Sequence, residues 1–235
     1  MKILALDSTA VVASVALCED GVLLGEYTLN NGNTHSQTLL PMVESLLGLF
    51  GIGIDEIDLF AASAGPGSFT GVRIGAATLK GLAFDTQKPC VGVSTLEALA
   101  QNLCGFDGLI CPVMNARRKQ VYTALFRSES GRLARLSQDM AIAITELDEI
   151  LAGYGEPVRL VGDGYTITKE LSSYPQLLET PERLRHQSAF SVAQVAYQAY
   201  LRGEYSNDAE MVPTYLRLSQ AERERMEKEQ KQHNA

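Results

Sequence analysis

Gly65-Pro66-Gly67-Ser68-Phe69-Thr70-Gly71 joins an apolar strand signal, Ile57 to Ser63, to a helical pattern that runs to about Asp85. A strand that enters a glycine-rich turn and leaves as a helix points to α/β architecture. Free N–H groups at such a helix start point outward and can cradle an anion. The same glycines equally serve a tight turn with close packing. Two nucleotide-binding loops are excluded by spacing. No Gly-Lys-Ser/Thr follows, Arg73 being the nearest cation, and Gly65, Gly67 and Gly71 are not spaced as GxGxxG.

Upstream, Lys2 to Ser8, Val11 to Cys18 and Val22 to Leu29 read as a three-strand meander, with Glu19-Asp20-Gly21 as a hairpin turn. His35 to Phe50 reads as a helix kinked at Pro41 and ended by Gly51-Ile52-Gly53. Downstream, Pro89 to Val93 is a strand, and Ser94 or Thr95 caps a short helix to about Leu103. The pattern restarts near Phe106. Leu109 to Met114 and Gln120 to Phe126 read as paired strands around Asn115-Ala116-Arg117-Arg118-Lys119. A short helix over Ile144 to Ala152 follows, then a strand, Val158 to Val161, that meets Gly162-Asp163-Gly164. Ser188 to Leu201 is amphipathic and Pro213 to Arg217 is extended. This order favours two lobes: residues 1–105, residues 106–218 with a last segment able to pack back on the first lobe, and a charged tail, 219–235.

The chain of 235 residues is 46% hydrophobic and 20% charged, an ordinary globular balance that excludes wholesale disorder. Its formal charge of −8 makes it a poor sole binder of nucleic acid, because phosphate neutralisation needs a basic footprint. The four cysteines show no CxxC and read as reduced, mostly buried thiols. Asp7 interrupts the apolar start, and no run of about 20 apolar residues exists, so a cytoplasmic protein without a membrane segment is expected.

Candidate chemistry is sparse. Asp7-Ser8-Thr9, a carboxylate and two hydroxyls at a strand end, can hold a hydrated Mg²⁺ and phosphate oxygens, or can form a local Asx-type turn. Histidines 35, 186 and 233 make no metal-spaced pair, and no GxSxG marks a nucleophile, so neither a metal site nor a catalytic residue is expected. His35 reads as a first-turn helix residue with a functional contact as the alternative. Arg117-Arg118-Lys119 is a solvated hairpin tip, or a contact to phosphate or an acidic partner. Two helices are more apolar than one sheet requires. In the first, Leu39, Leu40, Met42, Val43, Leu46, Leu47, Leu49 and Phe50 spread over about 180°, where about 100° suffices. The second carries Val72, Ala76, Leu79, Leu82 and Ala83 on one side and Ile74, Ala77, Gly81 and Phe84 on the other. Either the helices pack on each other as well as on the sheet, or a partner covers the surplus.

Several of these segments together resemble one family. They are Ile3-Leu4-Ala5-Leu6-Asp7-Ser8-Thr9, His35-Ser36-Gln37, the block from Gly65 to Gly75, Gly92 to Leu99, Ala116-Arg117-Arg118 with Val121-Tyr122, and Pro213 to Arg217. The family is TsaB, also called YeaZ. The matches are dense over the first hundred residues and fall at three islands in the second half. One departure stands at Asn115, where an aspartate would be expected before Ala-Arg-Arg.

The resemblance implies an actin/Hsp70/sugar-kinase-like (ASKHA) α/β fold with two similar lobes of mixed sheet plus helices. It implies work in making N6-threonylcarbamoyladenosine beside the anticodon of tRNAs that read codons beginning with A. The transfer chemistry would belong to a homologous partner, TsaD, helped by the ATPase TsaE. This chain would be a non-catalytic subunit, a homodimer when alone, reaching tRNA only through the complex. The expected partner interface is His35, Leu39, Met42, Leu46, Phe50, Arg73, Ile74, Ala77 and Lys80. Asp7, Ser8, Thr9, Gly65, Gly67, Asn115, Gly162 and Gly164 would be a vestigial nucleotide or phosphate site. No cofactor of its own is expected, ATP and metal being used by the partner subunits, with weak nucleotide binding left open. The alternative is an ATP-dependent phosphotransferase of the same fold, resting on Asp7-Ser8-Thr9 and the glycine-rich turn.

Overall fold

The computed structural model describes residues 1–217. The tail expected over 219–235, and position 218, lie outside the described residues.

The first sheet is built from β1 (Lys2–Asp7), β2 (Ala13–Glu19), β3 (Val22–Leu29), β4 (Leu59–Gly65) and β5 (Cys90–Ser94), in the order β3-β2-β1-β4-β5. The three meander strands run antiparallel; β4 then joins β1, and β5 joins β4, in parallel. Asp20 and Gly21 turn the β2–β3 hairpin with φ of 49° and 81°, the left-handed pair that matches strand twist. Central β1 and β4 are buried on both faces, which explains their nearly unbroken apolar sequence. Two helices, α1 (His35–Phe50) and α2 (Phe69–Ala83), cover one face, with Leu4, Leu6, Phe60 and Ala62 beneath them. On the other face lies α6 (Ala189–Leu201), where Ala189, Ala193 and Ala196 permit a close approach to Ala5, Ala16 and Ala61.

The second sheet repeats the scheme. Its strands are β6 (Gly108–Asn115), β7 (Gln120–Thr123), β8 (Phe126–Glu129), β9 (Arg132–Arg135), β10 (Met140–Ala143), β11 (Val158–Val161) and β12 (Leu177–Leu178). The order β10-β7-β6-β11-β12, antiparallel twice and then parallel twice, mirrors that of the first sheet. Two similar lobes of mixed sheet plus helices are therefore present. Between the sheets in sequence runs α3 (Thr95–Gln101), capped by the Ser94 hydroxyl, and α4 (Ile144–Tyr154) and α5 (Tyr165–Leu171) belong to the second half.

One strand differs from the reading of the sequence. The run from Gln120 to Phe126 is two strands in a single register on β6, since Thr123 faces Val113 and Phe126 faces Ile110. The ladder breaks opposite Cys111 and Pro112, where proline offers no N–H. Leu125 turns its backbone away and bonds Ser137 Oγ (2.9 Å) and Leu136 N (2.8 Å) instead. The chain is back on the first lobe from α6, and beyond that helix it continues there as a strap. Ser206 bridges Cys90 on the free edge of β5, Met211 is buried in the first core, and Thr214 N–H donates to Ala64 O at 2.7 Å.

Candidate functional site

The glycine-rich turn closes onto the end of β1. A Cβ on Gly71 would stand 2.0 Å from Ser8 O, and one on Gly67 would stand 2.6 Å from Thr9 O, so only glycine permits this approach. Gly65, at φ +114°, lies equally tight against Thr214 O. Ser68 N–H donates to Thr9 O at 2.7 Å, and Gly71 N–H donates to Ser68 Oγ at 3.3 Å. Both of these N–H groups are satisfied internally, as a tight turn requires and an anion cradle does not.

Asp7 is 1% exposed and fully engaged. Its Oδ1 accepts from Thr9 N (2.8 Å) and Thr9 Oγ1 (2.7 Å), and its Oδ2 accepts from Ser63 Oγ. This is the Asx-type turn. Burial pushes the Asp7 carboxyl above its ordinary range, a tendency these hydrogen bonds oppose. Ser8 Oγ donates to Gly71 O at 2.9 Å. The fold implies an Mg²⁺–nucleotide site, and these residues do not fit one. The carboxylate that would face the metal is 1% exposed and carries hydrogen bonds on both oxygens, and among the described residues no group of three or more His, Cys, Asp or Glu side chains could hold an ion.

A cleft of about 710 Å³ separates the lobes, with Thr9, Gly67, Asn115, Arg117, Asp163 and Tyr215 among its walls. It brings Thr9 and Gly67 together with Asn115. Asp7, Ser8, Gly65, Gly162 and Gly164 do not line it. Gly162 and Gly164 pack on Val113 O, where their Cβ atoms would stand at 2.3 and 2.9 Å, so that turn is closed against its neighbouring strand. Asn115 organises the adjacent hairpin: its N–H donates to Asp163 Oδ1 (3.3 Å), and its Oδ1 accepts from Arg117 N (2.8 Å). Burial raises the Asp163 carboxyl as well. Arg117, Arg118 and Lys119 follow with φ of 63°, 54° and 59°, three consecutive left-handed residues. Each such residue costs about 1–2 kcal/mol relative to a right-handed conformation.

The helix pair requires corrections to the expected interface. Leu39, Met42 and Leu46 are 1%, 5% and 1% exposed, and they form this chain's own core. Sheet burial uses the centre of the apolar arc, leaving its two flanks, Leu40 and Leu49, in solvent; Phe50 lies at the centre of the arc, beside Gly25 of β3, and is exposed as the last residue of the helix. On α2 the stripe Val72, Ala76, Leu79 and Ala83 is buried, whereas Ala77 and Phe84 are exposed and Ile74 is half-buried. Arg73 and Lys80 are engaged by the strap: Arg73 Nε donates to Tyr215 Oη (2.9 Å) and Lys80 Nζ to Ala209 O (3.0 Å). The ring of Tyr215 stacks on Phe69 at 4.6 Å, under the Arg73 guanidinium. Phe69 and Tyr215 were not singled out from the sequence; the i, i+4 spacing of Phe69 and Arg73 on one helix was the available signal. His35 is half-buried and bonds Ala10 O through Nε2 at 2.8 Å, tying the start of α1 to the loop after β1.

The comparisons with known proteins agree with this geometry. The family profile of tRNA N6-adenosine threonylcarbamoyltransferase, TsaD, matches residues 24–225. A Bacillus subtilis (strain 168) relative is 33% identical over 225 residues, covering 94% of this chain and 96% of its own length. The chain belongs to the TsaB family. An Escherichia coli (strain K12) TsaB is 31% identical over 221 residues, with 92% and 95% covered. Both TsaB relatives carry the name tRNA threonylcarbamoyladenosine biosynthesis protein, which states a pathway and no catalytic activity. The fold is that of YeaZ from Pseudomonas aeruginosa, 29% identical with a TM-score of 0.79 over 92% of this chain and 99% of that one. No helix among the described residues of this TsaB family member is long and apolar enough to cross a membrane.

Proposed function

We propose that this TsaB family chain is a non-catalytic subunit in the biosynthesis of N6-threonylcarbamoyladenosine in tRNA. It would bind a TsaD homologue, which performs the transfer beside the anticodon of tRNAs that read A-starting codons, with TsaE as the ATPase. The observation that carries this reading is the state of Asp7, whose two carboxylate oxygens are engaged by Thr9 and Ser63. A phosphotransferase of this fold would need that carboxylate at a metal. The interface of the proposal is the exposed rim of the helix pair: Phe50 with Leu40 and Leu49 on α1, and Ile74, Ala77 and Phe84 on α2. Apolar side chains left exposed on both helices favour a protein partner over one of these faces. Alone, the chain would pair with a second copy through the same rim. It would hold no cofactor, ATP and metal belonging to its partners, and would act in the cytoplasm.

The test is reconstituted threonylcarbamoyl transfer to tRNA by a TsaD homologue and TsaE, with and without this chain, beside the chain's own ATPase rate. Transfer that depends on the chain, with no ATP turnover by it alone, is the expected result. ATP turnover by the isolated chain that Asp7→Asn abolishes would establish the phosphotransferase instead.

A further inference from the structure

The hairpin tip between β6 and β7 concentrates positive charge on a chain whose formal charge is −8. Arg117, Arg118 and Lys119 are all exposed, and among the described residues none of them has a carboxylate within 4.0 Å. Their left-handed backbone is braced from several directions. Arg117 N–H is held by Asn115 Oδ1 (2.8 Å), Ala116 N–H and Gln120 N–H close the turn (3.0 and 3.1 Å), and Lys119 O accepts from Ile144 N (3.2 Å). Arg217 reaches over from the strap to Ala116 O at 2.9 Å, adding a fourth cation beside the turn. A loop free to relax would not keep three cationic residues in this conformation, and local strain that the surroundings hold in place is characteristic of binding sites. Charges of one sign, fixed and facing solvent without an internal counter-ion, fit an external polyanion.

We infer that the turn Arg117–Lys119 contacts the phosphate backbone of an RNA single strand. RNA is favoured over an acidic protein face because the cleft beside the turn carries the rings of Tyr122 and Tyr215. Cations beside accessible aromatic rings suit a strand with both phosphates and bases. The choice of RNA rests on the proposed role in a tRNA-modifying complex. It adds a contact by this chain itself to the expectation that tRNA is reached through the complex.

The experiment is fluorescence anisotropy with a labelled tRNA anticodon stem-loop and the full chain, titrated over a series of salt concentrations. The variants are R117Q/R118Q/K119Q and Arg118→Gly. Binding at low salt that weakens about tenfold or more in the triple variant, with the slope of log K against log salt reduced by about 2, is expected. Arg118→Gly separates binding from structure, because glycine accepts the left-handed backbone freely. It should weaken RNA binding while leaving the melting temperature no lower. Absence of RNA binding by the native chain, or equal binding by the triple variant, overturns the inference. So does competition by polyglutamate as effective as by polyuridylate of equal charge, which would assign the turn to an acidic protein. Pairing with the TsaD homologue is measured separately. A native chain that fails to pair counts against the proposed function, whereas a native chain that pairs but binds no RNA counts only against the role of this turn.

Discussion

Arg73 and Tyr215 are joined across 142 residues of sequence by a hydrogen bond of 2.9 Å, with the guanidinium 3.9 Å from the Phe69 ring centroid. The cation that the sequence places beside a partner surface therefore belongs to an internal clasp. It holds the strap from Ser206 to Arg217 against α2 and narrows the apolar rim of that helix, which the proposed function gives to a partner, to Ile74, Ala77 and Phe84.

Arg73→Ala should loosen the strap without unfolding the lobe. The loss of one hydrogen bond and one exposed cation–π contact amounts to about 1 kcal/mol. Urea unfolding would read that difference, and limited proteolysis should show faster cleavage between Ser206 and Arg217. A cleavage rate equal to that of the native chain would mean that Met211 and Thr214 hold the strap alone.

Helix burial separates two substitutions on neighbouring helices. Leu46→Glu places an unpaired carboxylate in the core and should cost more than about 4 kcal/mol, so that little folded protein survives. Ala77→Glu, on an exposed face, should change stability by less than about 0.5 kcal/mol and abolish pairing with the TsaD homologue. Size-exclusion chromatography of the mixed proteins reads the second effect; a complex that persists with Ala77→Glu would remove this face of α2 from the interface.

Two glycines should respond with opposite signs. At Gly71 an added Cβ meets the Ser8 carbonyl at 2.0 Å, and backbone must move, so Gly71→Ala is expected to destabilise by about 3 kcal/mol or more. At Gly48 nothing lies within 4 Å of the added Cβ, so Gly48→Ala should raise stability by about 0.5–1 kcal/mol through helix propensity. Thermal melts of the two variants check both signs.

Asp7 sets a pH dependence. Its carboxyl is raised in the folded state above the ordinary 3.8, mainly by burial. The folded chain therefore binds this proton more tightly than the unfolded chain. The associated stability is fully present below pH 3.8 and is lost as pH rises through the folded pKa. Asp7→Asn removes this contribution, so native stability relative to the variant should fall as pH is raised from about 4 toward neutrality. A difference that grows in the opposite direction would show that the bonds from Thr9 and Ser63 outweigh desolvation.

The thiols should react unequally. Burial pushes Cys18 and Cys111 up to about 12 and Cys90 up to about 11, so all three are protonated at pH 8. Cys104 is half-exposed. Alkylation of the native chain at pH 8 should label Cys104 first, with all four thiols reacting in denaturant. Mass spectrometry of the labelled peptides identifies the site.

Local patterns carried most of the elements. The meander, the capped helices and the strand–turn–helix at Gly65–Gly71 are legible because alternation, capping and glycine placement act over a few residues. The strands β9, β10 and β12 and the helix α5 are not legible in this way, being short segments whose formation is decided by distant partners. The split of the run from Gln120 to Phe126 follows from Pro112, and only the pairing on β6 puts that proline opposite it.

The sequence by itself determined the family, the repeated α/β plan, the absence of a metal-spaced histidine pair and the excess of apolar residues on two helices. These depend on composition, period and motif order, which need no coordinates. Only the tertiary structure decided which part of each apolar arc is core and which is rim, that Arg73 and Lys80 bind the strap, and that Asp7 is buried with both oxygens hydrogen-bonded. Each of those outcomes is a contact between groups far apart in the chain, such as Asp7 with Ser63 or Arg73 with Tyr215, and no local pattern encodes which long-range neighbour a side chain meets.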